Sequence, residues 1–305
     1  MNANVPNITQ NNGQTEFDRF QDHYPTRRAS DPAVLARSEP VAYGSAHVGP
    51  LDQLALNQYA ESGFIHFDHF FNSNELNMFL KELNSIRTNQ SIKSQAGSIF
   101  EPNSQEIRSI FAVHNKSEIM HSLCYHPRLV LIAQQLLGSE VYLHQTRINY
   151  KAGFRGQEFY WHSDFETWHA EDGMPRMRAV SCSISLTENT HHNGPLMLIP
   201  GSHLSFVSCV GETPENNFKS SLRKQDVGVP DDESLQKLIE HRGIISTTGP
   251  AGSVTFFECN MMHGSNSNIT PQPRSNVFVV YNSVRNRLVA PFCGLPARPD
   301  FVAHR

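Results

Sequence analysis

The strongest constraint on the fold is a period of two. In residues 180–187, Val180, Cys182, Ile184 and Leu186 alternate with Ser181, Ser183, Ser185 and Thr187. An extended backbone puts the four apolar side chains on one face and the four small hydroxyls on the other. Residues 141–151 share the habit: Gln145, Arg147, Asn149 and Lys151 fall on one face, with Val141 and Leu143 earlier on it. A polar row of this kind is either a solvated face or the wall of a polar pocket. The hydroxyl row adds weight to the pocket, because small polar side chains leave space for a ligand on the sheet.

The rest of the chain places helices first and strands later. Leu54, Leu56 and Tyr59 suit a short helix over residues 51–62 with Gly63 as its stop, followed by a strand at 64–67. Residues 72–75 read as a cap for apolar residues at helical spacing from Leu76 to Leu83. The polar stretch 88–105 predicts a loop, 108–113 a strand, and the segment from His126 to Leu137 a helix ended by Gly138. Strands follow at 196–199, 253–257 and 276–284, with turns at 191–195 and 249–252; the paired His191 and His192 in the first turn are expected at the surface. Residues 210–235 read as a long loop or lid, 234–241 as a short helix, and the tail after Arg287 as irregular. The pattern predicts a mainly β fold, a double-stranded β-helix (a cupin-like jelly roll of two facing sheets) with flanking α-helices. Such barrels hold ligands in their mouths.

A chain of 305 residues accommodates one domain of about 250 residues with an N-terminal extension. Residues 1–20, rich in Asn and Gln, are expected to be disordered, leaving 21–305 as the single domain. Residues 21–45 read either as a linker or as a segment that wraps the domain with Tyr24, Val34, Leu35 and Tyr43. The net charge of −4 implies no nucleic-acid or membrane partner. The longest apolar runs fall far short of the roughly 20 residues of a membrane helix. The N-terminus lacks a basic region followed by an apolar one, which predicts a cytoplasmic protein. Five cysteines, odd in number and without C-x-x-C spacing, argue against a zinc ribbon, a redox dithiol or a disulfide framework.

Chemistry concentrates in residues 159–169, around His162-Ser163-Asp164. In an extended segment positions 162 and 164 point to one face and offer an imidazole and a carboxylate to one divalent metal. The third ligand predicted is His263. Two histidines and one carboxylate leave the opposite face of a metal open, as in non-haem Fe(II) oxygenases. With 16 histidines in the chain, a His-x-Asp pair alone is weak. Arg274, at the start of the apolar run Val277 to Tyr281, strengthens it. Its planar fork suits the distal carboxylate of 2-oxoglutarate.

Residues 145–151, 159–169, 171–178, 193–203 and 262–266 resemble the ectoine hydroxylases of the phytanoyl-CoA dioxygenase superfamily, a similarity that runs from about residue 21 to the C-terminus. The resemblance implies Fe(II), 2-oxoglutarate and O2 as cofactor and co-substrates. It implies hydroxylation of ectoine to 5-hydroxyectoine, with release of succinate and CO2, in osmoprotective metabolism, and a homodimer. By position in the motifs it implies His162, Asp164 and His263 as iron ligands. Gln145, Asn149, Lys151, Ser183 and Arg274 correspond to the 2-oxoglutarate site, and Gln145, Arg147, Thr167, Trp168, Asn282 and Arg298 to the ectoine site. Two residues after the arginine, where the wider superfamily often has Ser or Thr, this chain has Asn276.

Three other readings compete. A related oxygenase acting on another small amino-acid-like metabolite would share the iron site. A non-catalytic solute-binding jelly roll has no need of the whole set His162, Asp164, His263 and Arg274. A zinc hydrolase could use His, Asp and His but has no use for Arg274.

Overall fold

The computed structural model describes residues 21–28, 31–102 and 104–305. The extension over residues 1–20 lies outside them. Thirteen strands follow in chain order: β1 Ala33–Ala36, β2 Phe64–Phe67, β3 Ser98–Phe100, β4 Ile107–Phe111, β5 Val141–Lys151, β6 Phe159–His162, β7 Ala179–Ser185, β8 Met197–Leu198, β9 Ser205–Ser208, β10 Ile245–Ser246, β11 Val254–Glu258, β12 His263–Ser265 and β13 Arg274–Ser283. A seven-stranded sheet has the order β2-β11-β7-β13-β5-β4-β3, and a four-stranded sheet the order β10-β8-β12-β6. All neighbours are antiparallel. The two sheets face each other as the predicted jelly roll.

The period of two determines what each face of the large sheet does. Val180, Cys182 and Ile184 of β7, with Val277, Val279 and Tyr281 of β13, turn outward into the main core. Helices Gln53–Ser62, Ser73–Thr88, Glu118–Cys124 and Pro127–Leu137 cover that face with Tyr59, Phe79, Leu83, Leu123, Leu129 and Leu136. The caps fall where the sequence puts them. Asn72 and Glu75 form a reciprocal capping box, and Gly63 closes the first helix at φ +83°, in the left-handed region that glycine enters without strain. The hydroxyl and amide row turns inward, between the sheets.

Three expectations are corrected, and one helix is new. Residues 88–105 are not one loop: helix Gln90–Lys93 and strand β3 lie within them, and β3 extends the large sheet by pairing with β4. That pairing is a long-range contact, invisible to a local polar pattern. Leu143 does not share the face of Gln145. The β5–β13 register slips, with Val280 opposite Gln145 but Tyr281 opposite Leu143, so His144 is an extra residue in a bulge. Leu143 thereby joins the outer core, while His144 turns its ring edge-on to Trp168 at 5.0 Å. Residues 162–164 are not wholly extended: β6 ends at His162, and a helix runs Asp164–Thr167 and continues as a wider turn over Trp168–Asp172. The helix Glu118–Cys124, capped by Ser117, has no counterpart in the sequence reading.

Residues 21–28 and 31–45 wrap the domain. Tyr24 is buried among Phe165, His169 and Phe206, and β1 pairs with β9. Arg37 makes a 2.8 Å ion pair with Glu258, both side chains 2% exposed. Truncating one partner of such a pair strands a buried charge, so Arg37→Ala is expected to cost about 3–5 kcal/mol of stability. Urea unfolding of the two proteins measures it; a loss under about 1 kcal/mol would mean that the arm is not held by this pair.

Candidate active site

His162 ends β6 and His263 opens β12, and the two are cross-strand partners, which places both imidazoles on one face of the small sheet. Their ring centroids are 4.2 Å apart. Asp164, on the first turn after β6, comes up beside them: Oδ1 lies 3.7 Å from His162 Nε2 and Oδ2 3.8 Å from His263 Nε2. One donor atom from each residue lies within 4.8 Å of the others. The strand-to-helix turn thus does what two extended residues were expected to do.

The donors are prepared for a metal. His162 Nδ1 donates to the Tyr160 carbonyl (2.7 Å) and His263 Nδ1 to the Met261 carbonyl (2.9 Å). A carbonyl only accepts, so both Nδ1 atoms carry the proton and both Nε2 lone pairs face Asp164. Burial, with His263 alongside, brings His162 down to about 4, and burial also lowers His263, so both rings are neutral at physiological pH. Burial alone would raise Asp164, but His263, Arg147 and His162 outweigh it and hold the carboxyl below its ordinary value. Asp164 Oδ2 is buried without a hydrogen-bond partner, an orphaned anionic oxygen that a cation would satisfy. The set fits Fe(II).

Two cavities meet at this triad and share Arg147, Phe159 and His162. The inner one runs between the sheets and is lined by Asn149, Leu196, His263, Ser265, Arg274 and Phe278. Arg274 lies on its floor, with Lys151 as its cross-strand neighbour, both buried. Burial brings Arg274 down to about 10, and burial together with Arg274 and Arg108 pushes Lys151 well below the usual lysine range. The Lys151 ammonium donates to the Gln157 and Asn266 carbonyls, whereas Arg274 Nε is buried without a partner. An unpaired buried guanidinium beside a second cation is a receptor for an anion. Ser183 lies behind this floor, 3.1 Å from the Asn276 amide. With that amide oriented to satisfy its neighbours, its oxygen also accepts from Arg274 Nη1 at 3.2 Å. Asn276 therefore braces the arginine.

The outer cavity opens towards solvent. It is lined by Gln145, Asp164, Thr167, Trp168, Glu171 and Arg298, and on its far side by Asn217, Ser221, Leu222, Gln225 and Val227. Those last residues belong to the 210–235 segment, which therefore lies over the site. The structure brings Gln145 to this cavity, not to the inner one, and Arg147 donates to Gln145. Trp168 is both core and wall, 2% exposed. Arg298 reaches in from the irregular tail and forms a bidentate pair with Asp172 at 2.7 and 2.6 Å. Asn282 is held by Tyr142 and Asn286 and is not among the residues lining either cavity.

Sequence reasoning missed a buried cluster behind the outer wall. Arg27 of the arm donates through Nε and Nη2 to Glu166 (3.0 and 3.0 Å) and through Nη1 to Glu171 (2.5 Å) and Thr213 (3.0 Å). Asn217 also donates to Glu171, at 2.7 Å. Gly228, at φ +72°, passes so close to the Glu166 carboxylate that a Cβ there would collide with it. Acids at 166 and 171 flanking the buried aromatic Trp168 were the available signal.

A jelly roll with two histidines and an aspartate at its mouth, next to a buried arginine, defines a 2-oxoglutarate-dependent non-haem iron dioxygenase. The family model described as phytanoyl-CoA dioxygenase matches residues 59–276. The chain belongs to the phytanoyl-CoA dioxygenase family. It is 52% identical over 288 residues to ectoine dioxygenase of Bordetella bronchiseptica, covering 93% of each chain. Among solved structures it is similar to EctD of S. alaskensis with 2-oxoglutarate and 5-hydroxyectoine, at a TM-score of 0.85 and 45% identity over 93% of this chain and 95% of that one. It is also similar to the same protein with bound Fe, at a TM-score of 0.83, the same identity and the same coverage.

Proposed function

We propose that this chain is an Fe(II)- and 2-oxoglutarate-dependent dioxygenase that converts ectoine, 2-oxoglutarate and O2 to 5-hydroxyectoine, succinate and CO2. The observation that carries the reading is a three-ligand metal site at the junction of two polar cavities, in a chain about half identical to ectoine dioxygenases along 93% of its length. His162 and His263 would hold iron through Nε2 and Asp164 through a carboxylate oxygen. Iron, when bound, supplies the activation of O2 that an amino-acid side chain cannot.

The protein's part is placement. Arg274 takes the distal carboxylate of 2-oxoglutarate, with Lys151 adding positive potential, Asn149 and Ser183 lining or bracing that end, and Asn276 fixing the arginine's fork. Gln145, Arg147, Thr167, Trp168 and Arg298 form the ectoine side. Arg147 suits the substrate carboxylate. The Trp168 ring suits its cyclic amidinium, a cation–π contact of about 0.5–2 kcal/mol. The 210–235 segment limits water over the reacting carbon. Residues 21–305 act as one unit, a reading supported by the ion pairs of Arg27 and Arg37 with residues of the barrel. The sequence resemblance supports a homodimer. Five free cysteines, four of them buried, support a reducing, cytoplasmic setting, and among the described residues no helix is long and apolar enough to cross a membrane.

Anaerobic loading with Fe(II) and 2-oxoglutarate, then O2 with and without ectoine, tests the reading by mass spectrometry. Ectoine-dependent succinate and a product heavier by one oxygen atom are expected. Succinate without hydroxylated ectoine would keep the oxygenase and replace its substrate by another small metabolite. Absence of succinate under every condition would remove the iron oxygenase.

A further inference from the structure

We infer that Glu171 is the counter-charge that selects the cationic ring of the substrate. This rests on the ectoine reading above and concerns a residue to which that reading gives no role.

The charges around the outer cavity lead to it. Arg298 is closed off by its bidentate pair with Asp172, and Asp164 belongs to the metal set. Arg147 has the neutral Gln145 as its hydrogen-bond partner among the described residues. It is the cavity's uncompensated positive group. On the other side, one guanidinium, Arg27, serves two carboxylates, Glu166 and Glu171. Three charged groups therefore sum to one net negative charge. Of the two acids, Glu171 is the one that lines the cavity. Its Oε1 accepts from both Arg27 and Asn217, and Oε2 accepts no hydrogen bond from any described residue.

A buried negative charge without its own counter-ion is costly. A small zwitterion with a delocalised amidinium and a carboxylate supplies both missing charges, the amidinium N–H to Glu171 Oε2 and the carboxylate to Arg147. A neutral ring of the same size fills the space and leaves the negative charge unanswered, so the wall rejects it. Arg27 and Asn217 fix the carboxylate through Oε1, which makes the free oxygen a positioned acceptor before substrate arrives.

The test compares wild type with Glu171→Gln, which keeps length and an acceptor oxygen but removes the charge. The KM for ectoine is expected to rise about 10- to 100-fold, from loss of one charge-assisted hydrogen bond. The KM for 2-oxoglutarate should stay within about twofold, because that site lies in the other cavity. A neutral cyclic amide of the same ring size, used as a competitor, should bind the wild type more weakly than ectoine and lose that disadvantage in the variant. An ectoine KM within about twofold of wild type, or a parallel fall of all constants with the melting temperature, would overturn the inference. Should Glu171→Gln not fold, Glu171→Asp decides it: with the charge retained, discrimination against the neutral amide must persist, and its loss would refute the role. Wild-type failure to hydroxylate ectoine would overturn the substrate reading itself. Normal wild-type turnover with an unaffected variant would overturn only Glu171's part.

Discussion

Replacing His162 with alanine is expected to abolish iron binding and turnover while the fold survives. The imidazole donates one hydrogen bond, to the Tyr160 carbonyl, and its side chain is 12% exposed. Nothing buried is left unpaired when it goes: its ring is neutral, and Asp164 Oδ2 already lacks a partner. The loss in activity should exceed the roughly 10- to 100-fold that removal of an outer hydrogen-bond partner of a metal ligand costs. Metal analysis after anaerobic loading, product formation and a thermal melt measure the three parts separately. Stoichiometric iron in the variant would take His162 out of the ligand set; a collapsed melt would make it a folding residue instead.

Arg274→Ala is expected to raise the KM for 2-oxoglutarate by about 10- to 150-fold, the value of one charged hydrogen-bonding contact at about 1.5–3 kcal/mol. The KM for ectoine should move by less than about threefold. Lys151 keeps part of the positive potential, which limits the loss. The melting temperature of the protein without co-substrate should hold or rise, because the arginine is buried with Nε unpartnered and next to a second cation. Initial rates with each substrate varied in turn give both constants. Equal rises in the two would mean that Arg274 has been assigned to the wrong ligand.

Local signals were readable without the structure. The Asn72 and Glu75 cap, the glycine stops at 63 and 138, and the alternation in residues 180–187 each depend on side chains a few positions apart. Helices, inner face and outer face followed from them. The triad was legible because its chemistry is recognisable from residue type, even though Asp164 reaches its place by a helical turn and not by an extended one. What stayed hidden depends on partners distant in sequence. β3 exists because β4 offers it an edge, and the described residues of the arm are held because Glu166, Glu171 and Glu258 wait for Arg27 and Arg37. The bulge at His144 could not be read from strand β5 alone, because a register slip is a property of two strands. It moved Leu143 to the outer face. The split of the polar row into two cavities was hidden for the same reason: Gln145 and Asn149 look alike along the strand and face different chambers.

The arm and the tail lie outside the stretch that matches the wider family, residues 59–276, yet both return to the outer cavity, Arg27 through Glu171 and Arg298 directly. The iron triad and Arg274 all lie inside that stretch. The middle of the chain thus carries the oxygen chemistry together with most of the substrate wall, Arg147, Trp168 and Glu171 included, and the two ends close that wall, one by bracing it and one by lining it. Exchanging the ends would therefore retune the mouth of the cavity, while the groups that meet the substrate's charges stay with the middle.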